Sequence, residues 1–137
     1  MFAAVLAAVA GVLTSAGPTA GELQVIRTYN VRDIVITLLG SAGEWTTGEN
    51  TFVMEFDSAP QKRLIDVGAP TLTATLPSGG GRPLRISARV SRGNSPGRYI
   101  GVITLPRPGE WSVTVTWSGL ASRGSATFAV PARPRRQ

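Results

Sequence analysis

Pro96-Gly97-Arg98-Tyr99 opens, and Pro108-Gly109-Glu110-Trp111-Ser112-Val113-Thr114-Val115-Thr116-Trp117 closes, the stretch that decides how this chain folds. Trp111, Val113, Val115 and Trp117 alternate with Ser112, Thr114 and Thr116, so an extended strand here has one apolar and one wet face. Pro-Gly dipeptides at both ends supply the turns. Working outward, Leu84, Ile86, Ala88 and Val90 alternate in the same way with Arg85, Ser87, Arg89 and Ser91. Further strands are expected over Leu23–Tyr29, Asp33–Leu39, Thr51–Asp57, Thr71–Leu76, Arg98–Leu105 and Ser125–Val130, with Leu84–Ser91 and Glu110–Ser118 completing the set. Beyond position 20 no long run keeps a 3.6-residue period. Seven or eight such strands in about 110 residues predict an all-β, immunoglobulin-like antiparallel β-sandwich.

The amino terminus is written differently. Phe2 to Leu13 is an unbroken apolar or small run, too short for the roughly 20 residues that span a bilayer. It suits the core of a signal peptide over residues 1–16, with Thr14 and Ala16 as the small residues of a cleavage site. No Lys or Arg precedes the run, which departs from the usual signal pattern. The sandwich domain is then expected over residues 22–131, with a basic disordered tail over 132–137 and no stable membrane span once the leader is removed. A flexible loop is expected at Ser78-Gly79-Gly80-Gly81. The expected location is periplasmic or extracellular.

The residue inventory narrows the chemistry. The 137 residues include no His and no Cys, which removes disulfides, zinc–thiolate sites, thiol catalysis and the ordinary catalytic triad. Glu44, Glu49, Glu55, Asp57 and Asp66 are expected at turns and strand ends, and the single lysine, Lys62, in a solvated loop. No catalytic residue, metal ligand or cofactor is therefore assigned, and the chain is read as a non-enzyme. Met54 alternates with Phe52 and Phe56 and is expected in the core. A hard-cation site built on Glu55, Asp57 and Asp66 lacks any EF-hand spacing. Trp111 and Trp117 are placed in the core or its rim. Trp45, in a Gly/Thr-rich turn, is expected to be exposed and available to a partner.

Charge is distributed unevenly. Between Asp66 and Glu110 there is no acid, while Arg82, Arg85, Arg89, Arg92, Arg98 and Arg107 all lie there; residues 22–66 carry a net −3. Arg85 and Arg89 are expected on one face of one strand, about 13 Å apart. Such a face suits an anionic protein surface or lipid headgroups; it also blunts an exposed edge against aggregation. Arg85, Arg89, Arg92, Arg98 and Trp45 are the candidate partner-binding residues. Nucleic acid is not expected, because no aromatic residue is interleaved with these arginines as a stacking platform.

Over roughly Val31 to Val130 the chain resembles the YtkA-like/FixH-like family of small exported or membrane-anchored bacterial β-sandwich domains. The resemblance lies in Gly48-Glu49-Asn50-Thr51-Phe52, Pro96-Gly97-Arg98-Tyr99, Pro108-Gly109-Glu110-Trp111-Ser112-Val113 and Ala126-Thr127-Phe128-Ala129-Val130. It implies an immunoglobulin-like periplasmic module associated with copper handling, cytochrome oxidase assembly or heavy-metal efflux. Family members commonly place Met and His between the strand near Leu72 and the Gly-x-Tyr hairpin. This chain has Thr75-Leu76-Pro77-Ser78-Gly79-Gly80-Gly81-Arg82 there, so copper binding is carried over to no residue. The expected function is a non-catalytic interaction module with a protein partner, accessory to a transport, efflux or oxidase-assembly system. The alternative is a copper-type metal chaperone or sensor lacking the usual Met/His ligands.

Overall fold

A computed structural model describes residues 22–77 and 80–135; the expected leader over 1–16, and Ser78 and Gly79 of the glycine-rich loop, lie outside them. The described chain forms strands β1 (Gln24–Val31), β2 (Ile34–Gly40), β3 (Trp45–Thr46), β4 (Gly48–Ser58), β5 (Arg63–Leu64), β6 (Thr71–Leu76), β7 (Leu84–Ser87), β8 (Arg89–Arg92), β9 (Arg98–Leu105), β10 (Gly109–Ser118) and β11 (Arg123–Arg133). Every strand read from alternation is present. Two were missed, β3 and β5, because two residues are too few to display a period. One was merged: the alternation over Leu84–Ser91 runs unbroken through two strands that belong to different sheets.

The first sheet has the order β1-β2-β4-β9-β8, with β5 paired to β4, and the second has the order β3-β11-β10-β6-β7. All pairings are antiparallel except that of β3 with β11. Within these sheets, β2-β4-β9-β8 and β6-β10-β11 reproduce the immunoglobulin orders ABED and CFG. The expected all-β, immunoglobulin-like sandwich is the fold observed. The handover between sheets occurs at Ala88, whose N–H donates to Leu72 O at 2.9 Å. β7 thus stays on β6 through Leu84–Ser87, and β8 then pairs with β9. Leu84, Ile86, Ala88 and Val90 all pack against the core, which is why the period of two survives the change of sheet.

Between the sheets lie the inward residues of both, among them Ile36, Leu38, Phe52, Met54, Phe56, Leu72, Tyr99, Trp111, Val113 and Val115. Met54 is fully buried and serves packing. Phe56 meets Tyr99 edge-on, with ring centroids 5.7 Å apart, and Trp117 at 5.3 Å. The buried indoles of Trp111 and Trp117 keep their polar ends satisfied, donating to Arg107 O at 3.1 Å and to Ser122 Oγ at 3.0 Å. Among the described residues no charged side chain is buried.

One close approach fixes the packing of β4 on β9. Gly101 stands opposite Phe52, and a Cβ at Gly101 would lie 2.3 Å from the Phe52 ring. The ring therefore occupies the volume a side chain would need. Gly101→Ala is expected to destabilise the domain by about 1–3 kcal/mol through overpacking. Adding Phe52→Leu to that variant should recover part of the loss. Urea unfolding of the two single variants and the double variant measures this; strictly additive costs would show that the ring swings aside freely.

Candidate interaction surface

The strand that changes sheets is also the edge of both, and four exposed arginines, Arg82, Arg85, Arg89 and Arg92, lie on or beside it. Arg85 projects from β7 opposite Thr75, and Arg89 from β8 opposite Val102. Both are exposed, as is Arg82 just before β7. The sequence placed Arg85 and Arg89 on one face of a single strand. They stand instead on different sheets, because the strand breaks at Ala88 between them. The cationic feature is an edge rather than a face. Among the described residues neither makes an ion pair.

Arg92 and Arg98 serve a different purpose. Arg92 Nη1 lies 2.8 Å from Asp66 Oδ2. The other carboxylate oxygen accepts from the Gly68 N–H at 2.9 Å and from the Tyr99 hydroxyl at 3.2 Å. Tyr99 in turn accepts from the Val67 N–H at 3.1 Å. The hydrogen bond from Arg92, followed by that from Gly68, holds the Asp66 carboxyl below its ordinary pKa. Burial, chiefly, pushes the Tyr99 hydroxyl above its own. This cluster pins the chain after β5 to the start of β9. Arg98 Nε donates to Glu55 Oε2 at 2.8 Å across the β4–β9 pair. Glu55 and Asp66 are thus each committed to a different arginine. Asp57 has its pKa raised by burial and then by Glu55. Among the described residues no group of three or more acidic side chains is placed to hold a metal ion.

Trp45 corrects a second expectation. It is 1% exposed, sits in β3 and packs against Phe52 with ring centroids 5.6 Å apart. Parallel pairing of β3 with Ala132 and Arg133 draws it inward, a long-range contact that a Gly/Thr-rich turn does not announce. Its indole N–H has no partner among the described residues. Trp45 also lines an open cleft of about 920 Å³, with Glu22, Glu49, Asn50, Arg133 and Arg135 on its walls. The polar groups there largely bind one another. The Asn50 amide donates to Thr46 O at 2.7 Å while its carbonyl accepts from Thr46 N–H at 2.9 Å. The Arg135 guanidinium donates to Thr47 O at 2.8 Å and Glu49 O at 2.6 Å. Arg133 pairs with Glu44 at 2.7 Å. The expected disordered tail from 132 therefore starts too early: β11 runs to Arg133 and Arg135 is docked, while Arg136 and Gln137 lie outside the described residues.

The Asp66 cluster carries a pH signature. A carboxyl whose folded pKa lies below its unfolded value, about 3.9, adds stability above that value and loses it as pH falls through the folded pKa. Asp66→Asn should therefore lower the thermal midpoint at pH 7 and flatten the acid limb of the stability profile below about pH 4. An unaltered acid limb would refute the role given to Asp66. No protein-family model matches the chain, and no curated protein matches it. Among solved structures it is similar to one described as the ZirS C-terminal domain, at 13% identity and a TM-score of 0.46, covering 97% of this chain and 94% of that one.

Proposed function

We propose that the chain is a non-catalytic interaction module of an exported protein, which meets a negatively charged protein partner along the β7–β8 edge. The observation that carries this reading is the pair Arg85 and Arg89, exposed and without an ion pair among the described residues, on an edge shared by both sheets. Acids elsewhere neutralise Arg92, Arg98 and Arg133. Among the described residues Arg82, Arg85 and Arg89 have no such partner. Cations left unscreened on a protruding edge accelerate encounter with an anionic surface and bias its orientation. The apolar leader supports a periplasmic or extracellular setting. The resemblance to YtkA-like and FixH-like domains supports an accessory role beside a transport, efflux or oxidase-assembly system. Within that setting the residues Arg85 and Arg89 replace the broader set of five as the contact.

The test is capture in the native host. A photocrosslinker placed at Ser87 identifies the partner, and Arg85→Glu/Arg89→Glu is then compared with Arg27→Glu/Arg123→Glu, which changes net charge equally at other sites. The edge pair should lose capture by about tenfold or more, since two close charge contacts are at stake. Equal loss in both variants would reduce the effect to net charge, and full retention in the edge variant would overturn the assignment.

A further inference from the structure

Leu120 has no cover. Of the large apolar side chains among the described residues it is the most exposed, fully open to solvent in the turn between β10 and β11. The Gly119 N–H donates to Ser122 O at 2.9 Å and closes that turn beneath it. Gly, Asn, Asp and Ser dominate such tips; here the two central residues are Leu120 and Ala121, both exposed. Gly119 packs against Val67 and Gly68, so exposed Ala69 stands one residue from that contact. One exposed leucine is ordinary on a protein surface. Its surroundings set this one apart.

The same end of the sandwich gathers unpaired cations from three separate turns. Arg32, in the β1–β2 turn, and Arg123, at the start of β11, line one small hollow with Trp117. The Ala59 N–H donates to Asp33 O at 2.8 Å, which brings the β4–β5 loop, with Lys62 and Arg63, against the β1–β2 turn. Arg32, Lys62, Arg63 and Arg123 are exposed, and none makes an ion pair among the described residues. Asp33 and Asp57, also without an ion pair there, share this end, so cations remain in excess. The opposite end balances: Glu22, Glu44, Glu49 and Glu110 stand against Arg82, Arg107, Arg133 and Arg135.

We infer that this end docks on a lipid surface bearing anionic headgroups, with Leu120 and Ala121 entering the boundary between headgroups and acyl chains. Arg32, Lys62, Arg63 and Arg123 then meet lipid phosphates. Three features favour a lipid surface. The hollow between Arg32 and Arg123 holds about 100 Å³, well below the roughly 300 Å³ at which small-molecule sites begin. The cations are spread over three turns, as suits an extended anionic plane to which each basic side chain contributes separately. The leucine protrudes with nothing packed around it, and an acyl boundary covers such a tip without a pocket of matching shape. One leucine and a small excess of cations bind more weakly than the roughly 10⁴ M⁻¹ of a single myristoyl chain, so half-saturation is expected near about a millimolar of accessible lipid. The surface is separate from the β7–β8 edge and leaves that edge free.

The chain has no native Cys, so Ala121→Cys in the full chain carries a single environment-sensitive nitrobenzoxadiazole dye beside Leu120. Vesicles of equal phosphatidylglycerol and phosphatidylcholine should shift its emission to the blue, and pure phosphatidylcholine vesicles should not. The dye at Ser87→Cys reports the β7–β8 edge and should stay unchanged with both. In the Ala121→Cys background, Leu120→Ser should weaken the response about fivefold to tenfold. Arg32→Glu/Arg123→Glu should weaken it at least tenfold. Arg85→Glu/Arg89→Glu alters net charge equally and should leave it within about twofold, which separates this surface from the proposed protein contact. No shift at position 121, an equal shift with pure phosphatidylcholine, or equal losses in the two charge-reversal variants overturns the inference. So does a shift with detergent-solubilised host membrane proteins but not with protein-free vesicles, which would assign this end to a protein.

Discussion

A single backbone N–H, that of Ala88, governs how this sandwich closes. Its bond to Leu72 O is the last link of the shared strand to the second sheet before β8 begins its pairing with the first. The strand is thereby shared, and the two sheets are held at one side by continuous backbone. On the other side β3, the far edge of the second sheet, runs through Thr47 into β4 of the first, and Tyr29 of β1 stacks on Phe128 of β11, ring centroids 5.2 Å apart. Everything between these two seams can then be apolar. The polar tips of Trp111, Trp117 and Tyr99 reach acceptors at the rim, whereas the buried Trp45 indole N–H has none among the described residues.

That arrangement explains what could be read in advance. Alternation reports which side of a strand faces the core, and both sheets face the same core. Leu84 to Ser91 therefore reads as one strand although it serves two, and no local signal separates them. The long strands were legible because each carries its own period. β3 was not, since Trp45 becomes a strand residue only by meeting Ala132, which is far away in sequence. The same limit affected the surface. The excess of arginine between Asp66 and Glu110 was visible, but its division was not: Arg92 finds Asp66 and Arg98 finds Glu55 only after folding.

The arginines thus fall into two populations with distinct physical work. Arg92 and Arg98 hold strands and loops together, and being partly screened by their partners they contribute little to the outer field. Arg85 and Arg89 contribute nothing to such links and project their charge outward. Substituting a member of the first group perturbs folding; substituting a member of the second perturbs encounter. The outer sheet faces divide in the same manner. Thr73, Thr114 and Thr127 stand in register on the outside of the second sheet, and Val25, Leu39, Val53 and Ile100 on the outside of the first.

The clasp made by Arg135 has a geometric result. Glu22, before β1, and Arg133 to Arg135, at and just beyond the end of β11, line the same cleft. The described chain thus enters and leaves at one pole of the sandwich. The turn that joins β10 to β11 lies at the opposite pole, where Gly119 packs against Val67 and Gly68. Neighbouring ends also allow the chain to be closed by a short linker and reopened elsewhere, since entry and exit points that lie together impose little strain on such a permutation.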